Sequence, residues 1–257
     1  MVYPFLEIVG VMNIILFEKG ELNKDRVILQ DHRAKHIVKI LQSKPGDSVR
    51  VGEINGEIGS GIIRSIKPKY PFEVELSVKL SKKSALSPAI DLLLALPRPI
   101  MLKRILSQVT ALGVGTIYLI NANRVEKSFW DAGILKEEEY RPHLIHGLEQ
   151  AVDTRLPKIK MYRHFRPFIE DVFPDIADDY SSLVIAHPDS EQTLPQCLSA
   201  GAGKVLYAVG PEGGWVDYEV EKFLTAGMQS FSIGARILKV DTAVVSIHGR
   251  ISQELEK

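Results

Sequence analysis

The chain has 257 residues, 45% of them hydrophobic, and its 32 Lys and Arg balance 32 Asp and Glu. That length suits one large domain or two smaller ones with a sizeable core, and a formal charge of zero argues against a large nonspecific nucleic-acid interface. No apolar run approaches the ~18 residues of a membrane span, no basic-then-apolar signal pattern opens the chain, and the lone Cys197 excludes an internal disulfide and fits a reducing cytoplasm.

Residues 12–17 (MNIILF) read as a strand. Asp31 is predicted to cap a helix over 32–41, whose Ile37, Ile40 and Leu41 share a face. Pro45-Gly46-Asp47 marks a turn, and 48–51, 56–66 and 72–80 then alternate like short strands. Between Lys24 and Arg50, seven basic residues against three acidic ones leave a net +4, which by itself reads as a solvated helix face. The polar stretch 81–88 sets a boundary between a small β-rich domain, 1–80, and a second domain, 81–257. In the second domain, 90–96, 116–120, 182–186, 205–209 and 231–233 are the continuous apolar runs expected of buried parallel strands. Leu102, Ile105, Leu106, Val109 and Leu112 have helical spacing, and Gly113 ends that helix. A helix near 141–152 should start or kink at Pro142. On it, His143, His146 and Glu149 read as a polar face, and no metal site is expected.

The chemistry points to two glycine-containing loops. Gly210-Pro211-Glu212-Gly213-Gly214-Trp215 follows the run 205–209 and precedes a helix from Asp217. Gly234-Ala235-Arg236-Ile237-Leu238-Lys239 follows 231–233 and precedes a helix from about Asp241. Ligands of open α/β sheets bind at the carboxyl ends of strands, so the two loops suggest one crevice. Glycine permits close backbone approach, but neither loop matches a dinucleotide or P-loop pattern, and Glu212 would repel a phosphate. An ordinary strand-to-helix turn, with Asp217 as N-cap and Gly227 just past the helix, explains the same residues.

The motif G-P-E-G-G-W followed by S-I-G-A-R-I-L-K-V-D-T-A resembles the uridine-N3 methyltransferases of small-subunit ribosomal RNA, members of the SPOUT class. The resemblance extends to 101–120, to 148–157 and to the N-terminal region from about Met12. It implies an α/β fold, a knotted parallel-sheet SPOUT methyltransferase domain preceded by a small β-rich PUA-like barrel that helps hold RNA. It also implies S-adenosylmethionine as cofactor, ribosomal RNA or the small ribosomal subunit as partner, a homodimer and a cytoplasmic location. The cofactor would meet Ala186, His187, Val209, Gly210, Gly213, Gly214, Ile233, Gly234, Ile237, Leu238 and Thr242. Arg236, Asp241 and Arg155 would serve catalysis, and Arg33, Lys35, His36 and Lys39 would contact RNA. Methyl transfer from a sulfonium asks for positioning and electrostatics, and uracil N3 must also lose a proton, so a base or a cation near the second loop fits. Asp241 has an equal claim to being a helix cap.

The chain departs from the family in places. Lys239-Val240-Asp241-Thr242-Ala243 replaces the usual Arg-Thr-Glu-Thr-Ala, and Ala151-Val152-Asp153 replaces Ser-Gly-Arg. Asn13-Ile14-Ile15-Leu16 lacks the usual arginines. Lys for Arg loses bidentate geometry, and Asp153 reverses a charge. These changes leave two alternatives: methylation of another RNA or atom, such as ribose 2′-O, or an inactive RNA-binding relative. Val2–Val11 has no counterpart in the family, which suggests initiation at Met12 or an added edge or interface. Val244, Val245, Ile247 and Ile251 give the last helix a broad apolar surface, expected either at a two-fold interface or against its own sheet. At such an interface, Arg155 or Arg236 of one subunit would complete the partner's site.

Overall fold

The computed structural model describes residues 12–83, 89–199 and 203–256. The extension 2–11 and most of the expected boundary stretch lie outside these residues. The chain divides into two compact units, Met1–Ala85 with Leu148–Leu156, and Leu86–Gly147 with Pro157–Lys257. A single cut after residue 80 therefore misses the return of Leu148–Leu156 to the first unit. Main-chain bonds from Asn13 to the Glu149 carbonyl (3.1 Å) and from Asn55 to the Thr154 carbonyl (2.7 Å) tie that segment in.

The first unit holds five strands, β1 (Ile15–Phe17), β2 (Arg26–Leu29), β3 (Ser48–Glu53), β4 (Glu57–Lys67) and β5 (Glu73–Lys83), in the order β1-β3-β4-β5-β2. Only the β1–β3 pair is parallel. Alternate residues of these strands, with Ala34 and Ile37 of helix α1 (His32–Lys39), form one apolar core. Asp31 caps α1 as predicted, accepting a bond from the Arg33 N–H. The helix stops at Lys39, short of the expected 41. Leu41 N–H bonds back to the His36 carbonyl and Gln42 takes φ 51°, which turns the chain away and leaves Ile40 and Leu41 exposed. Strand β2 was not legible as a strand: Val27 and Leu29 point inward, but the alternation is four residues long and lies in the basic run.

In the second unit, six parallel strands are ordered β11-β9-β10-β6-β7-β8. They are β6 (Ile90–Ala95), β7 (Thr116–Ile120), β8 (Lys158–Tyr162), β9 (Ser182–Ala186), β10 (Val205–Val209) and β11 (Gln229–Phe231). β6, β7 and β10 are buried along their whole length, which is why their sequences are continuously apolar. β8, an edge strand, escaped prediction because lysines alternate along it, a pattern that also discourages edge pairing. β11 ends where the predicted strand 231–233 begins. Ser232 has left the ladder, its N–H bonded to the Gln192 carbonyl at 2.9 Å.

The helices are α2 (Pro99–Ala111), α3 (Glu137–Ala151), α4 (Phe165–Pro167), α5 (Phe173–Ala177), α6 (Leu194–Cys197), α7 (Asp217–Thr225) and α8 (Val240–Leu255). Pro142 does not start α3, which opens five residues earlier with Tyr140 N–H on the Lys136 carbonyl. Helix α8 follows the edge strand β11 but packs on β10, β6 and α2. Its Val244, Ile247 and Ile251 are fully buried there, so this apolar face serves its own chain. His248 on the same face ties three elements together. Its Nε2 lies 3.1 Å from the Leu112 carbonyl and its Nδ1 3.3 Å from the Tyr207 hydroxyl. A carbonyl only accepts, so Nε2 carries the proton and Nδ1 accepts from Tyr207. Burial pulls the His248 pKa down to about 4.

Candidate active site

The first glycine loop leaves β10 after Val209 and folds back on itself. Gly214, at φ 77°, donates its N–H to the Pro211 carbonyl (2.8 Å). Trp215 is buried edge-on to Phe223, and a Cβ on Gly210 would come within 3.1 Å of its indole. Glu212 does not confront the crevice with an unused charge. Its Oε1 accepts the Arg98 N–H (3.0 Å), at the residue that opens α2. Arg124 donates to the Gly213 carbonyl, and its side chain lies where a Gly213 Cβ would meet its Cδ at 3.0 Å. The N-cap of α7 is Val216, one residue before the expected Asp217. The buried Glu219 takes over the capping: Oε2 accepts from Val216 N–H (3.0 Å) and Oε1 from Asn123 N–H (2.6 Å). Gly227 ends α7 at φ 95°, as expected.

The second loop is more open. The Phe231 carbonyl accepts the His187 N–H (3.0 Å), which joins the ends of β11 and β9. Arg250 holds the Ile233 carbonyl (3.1 Å), and Gly234 sits at φ 126°, where other residues are strained. Arg236 is exposed, Ile237 is 89% exposed and Leu238 is half-buried. Lys239, not Asp241, is the N-cap of α8. Asp241 is the second helical residue, and its carboxylate accepts the Thr242 N–H (2.9 Å).

The order β11-β9-β10 thus sets Ala186, His187, Val209–Gly214 and Ile233–Leu238 at neighbouring strand ends, with Arg236, Asp241 and Thr242 in the same unit. Arg155 belongs to the other unit. There Asp153 Oδ1 accepts the Thr154 N–H (2.7 Å) and the Arg155 N–H (3.2 Å), with Arg155 Nε 3.9 Å away, so the reversed charge at Asp153 is used locally.

The four residues expected on RNA separate into two pairs. The Arg33 side chain is only 12% exposed, held by Glu21 (2.6 Å), Asp31 (2.7 Å) and the Leu16 carbonyl (2.7 Å). Those carboxylates neutralise it and raise its pKa against the cost of burial. His36 is buried, and burial lowers its pKa. Lys35 and Lys39 face outward, Lys39 over the Phe72 ring at 5.5 Å. Arg33 and His36 thus build the helix into its unit, and Lys35 and Lys39 are the exposed members of the four.

Sequence reading missed Arg124 and Glu219. The polar run Asn121-Ala122-Asn123-Arg124 at the carboxyl end of a predicted strand was the available signal for Arg124.

Residues 84–252 match the model of an RNA methyltransferase domain, and residues 29–75 match that of an RNA methyltransferase PUA domain. Ribosomal RNA small subunit methyltransferase E of Treponema pallidum is 34% identical over 236 residues, 90% of this chain and 87% of that protein. Ribosomal RNA small subunit methyltransferase E 1 of Borreliella burgdorferi is 29% identical, over 91% of this chain and 95% of that protein. The crystal structure of ribosomal RNA small subunit methyltransferase E from Neisseria gonorrhoeae, bound to S-adenosyl methionine, superposes with a TM-score of 0.73 at 18% identity, covering 94% of this chain and 98% of that one. A parallel α/β unit joined to a PUA-like β unit is the architecture of the SPOUT methyltransferases. The chain belongs to the RNA methyltransferase family, among the relatives of ribosomal RNA small subunit methyltransferase E. It is an enzyme of RNA methylation.

Proposed function

We propose that this protein transfers the methyl group of S-adenosylmethionine to N3 of a uridine in 16S ribosomal RNA. One observation carries the reading: two glycine loops, at the ends of β10 and β11 on either side of β9, in a chain 34% identical to a small-subunit methyltransferase E. The loops suit a cofactor that needs close backbone approach. Gly214 and Gly234 hold positive φ, and a Cβ on Gly213 would press on the Arg124 side chain at 3.0 Å. The main chain of Ala186, His187, Val209, Gly210, Gly213 and Gly214 would hold the cofactor on one side. Ile233, Gly234, Ile237, Leu238 and Thr242 would hold it on the other, where the exposed Ile237 offers apolar cover. When bound, S-adenosylmethionine supplies a methyl group already activated on a sulfonium.

The remaining chemistry falls to the protein. Uracil N3 must shed its proton before its lone pair can take the methyl group. The Asp241 carboxylate accepts that proton, and Arg236 stabilises the uracil anion. Arg155 acts from a second copy of the chain, in a homodimer whose two-fold symmetry lets each subunit complete its partner's site. RNA is also gripped through Lys35 and Lys39. No helix among the described residues is long and apolar enough to cross a membrane. A ribosomal RNA substrate fits a cytoplasmic location.

The test is transfer of labelled methyl from S-adenosylmethionine to small ribosomal subunits from cells lacking this gene. Incorporation into the RNA supports the reading, and label absent from the RNA refutes it. Light scattering tests the dimer. Mixing separately inactive Arg155→Ala and Arg236→Ala proteins should restore part of the activity if the site is shared.

A further inference from the structure

We propose that a second crevice, at the carboxyl ends of β7 and β8, holds one nucleotide of the RNA strand next to the target uridine. This rests on the RNA methyltransferase reading. The crevice encloses about 450 Å³, within the range of small-molecule pockets, and Asn121, Asn123, Lys127, Phe165, Arg166 and Tyr218 line it.

Its chemistry is that of a base-and-phosphate site. Phe165 and Tyr218 meet at 63° with centroids 6.3 Å apart, and Phe165 is braced edge-on by Phe223 at 5.4 Å. Tyr218 is 47% exposed, so part of its surface is open to a base. Stacking on such rings accepts any base, as a subsite beside the target requires. Asn121 Oδ1 is occupied by the Trp130 indole N–H (2.9 Å), which leaves the amide NH2 as a donor to a base edge or sugar.

Lys127, which lines the crevice, is the cation open to a phosphate. Glu170 is shared by Arg166 (2.9 Å) and Lys222 (2.8 Å), so two cations face one carboxylate. Arg163 is 3.8 Å from Asp131. Among the described residues no carboxylate is within ion-pair distance of Lys127. Glu219 also lines the crevice, but both its oxygens accept main-chain N–H groups. The exposed Glu126, Asp171, Asp217 and Glu221 are further negative charges nearby in sequence. The crevice adjoins the proposed transfer loop: Asn123 lines it, and the next residue, Arg124, holds the Gly213 carbonyl. A nucleotide seated there would leave its neighbour beside Gly213.

The experiment measures binding of a fluorescein-labelled single-stranded 12-mer of uridine by anisotropy, across a salt series. S-adenosylmethionine binding is measured by calorimetry, and methylation kinetics on small ribosomal subunits. Tyr218→Ala and Lys127→Ala should each weaken the RNA roughly 5- to 100-fold. Lys127→Ala should also lower the salt slope by about one. Cofactor affinity and kcat should hold while KM for the subunit rises. Tyr218→Phe, which keeps the ring, should bind like wild type. RNA affinities within twofold of wild type in both alanine variants, or equal losses in Tyr218→Phe and Tyr218→Ala, would overturn the proposal. So would uridine monophosphate binding as tightly as the 12-mer, which would make this a free-nucleotide site. A wild-type protein that binds the 12-mer through these residues but methylates nothing would remove the activity and leave the crevice standing.

Discussion

The carboxylate of Glu219 accepts the main-chain N–H of Asn123 at 2.6 Å, across 96 residues of sequence. Its other oxygen caps α7 at Val216. One buried side chain therefore fixes both the chain after β7 and the end of the glycine loop. Glu219→Ala would leave two main-chain donors without partners. We expect a loss of about 3 kcal/mol, seen as a thermal midpoint lower by roughly 10 °C, together with reduced cofactor affinity. Glu219→Gln, which keeps one acceptor, should lose about half as much. Differential scanning calorimetry checks both.

Gly213→Val should abolish S-adenosylmethionine binding without unfolding the chain. The new side chain pushes against Arg124, whose exposed side chain can yield, and in the proposed placement it crowds the bound cofactor. Calorimetric affinity equal to wild type would show that the cofactor lies elsewhere.

His248 makes stability pH-dependent. Its ordinary pKa of 6.5 falls to about 4 in the fold, so the unfolded chain binds more protons in that interval. The contribution, about 3 kcal/mol, is fully present above pH 6.5 and fades as pH falls toward 4. His248→Gln should melt lower at pH 8, and the gap to wild type should close on acidification. Melting curves at several pH values read this directly, and a gap constant from pH 8 to pH 4 would contradict it.

Arg33 and the pair Lys35 and Lys39 should behave differently. Removing Arg33 strands Glu21 and Asp31, so Arg33→Ala should destabilise the first unit by about 3 kcal/mol. Lys35→Ala with Lys39→Ala should leave the melting curve nearly unchanged, weaken RNA binding and flatten its salt dependence. Anisotropy at several salt concentrations separates the two effects.

The central parallel strands were legible because burial on both faces writes them as unbroken apolar runs, as in Val205–Val209. The start of α1 was legible because an Asp31 cap is a local signal. The edge strands β2 and β8 were not, because lysine, arginine and short length mask their alternation. Both glycine loops were visible as motifs, but the contacts that fix the first one were not. Glu212 with Arg98, Arg124 with Gly213 and Glu219 with Asn123 are separated by 114, 89 and 96 residues. No local pattern announces such partners. The inward turn of Arg33 was hidden for a related reason, since a basic residue on a helix reads the same whether it meets RNA or Glu21.

The most direct test of the account is the identity of the methylated atom. Small ribosomal subunits from cells lacking this gene would be incubated with the pure protein and deuterated S-adenosylmethionine. Their RNA would then be digested to nucleosides for mass spectrometry. The account predicts deuterated N3-methyluridine, absent from reactions with Arg236→Ala. Deuterium on ribose 2′-O or on another base, with none at uridine N3, would contradict it.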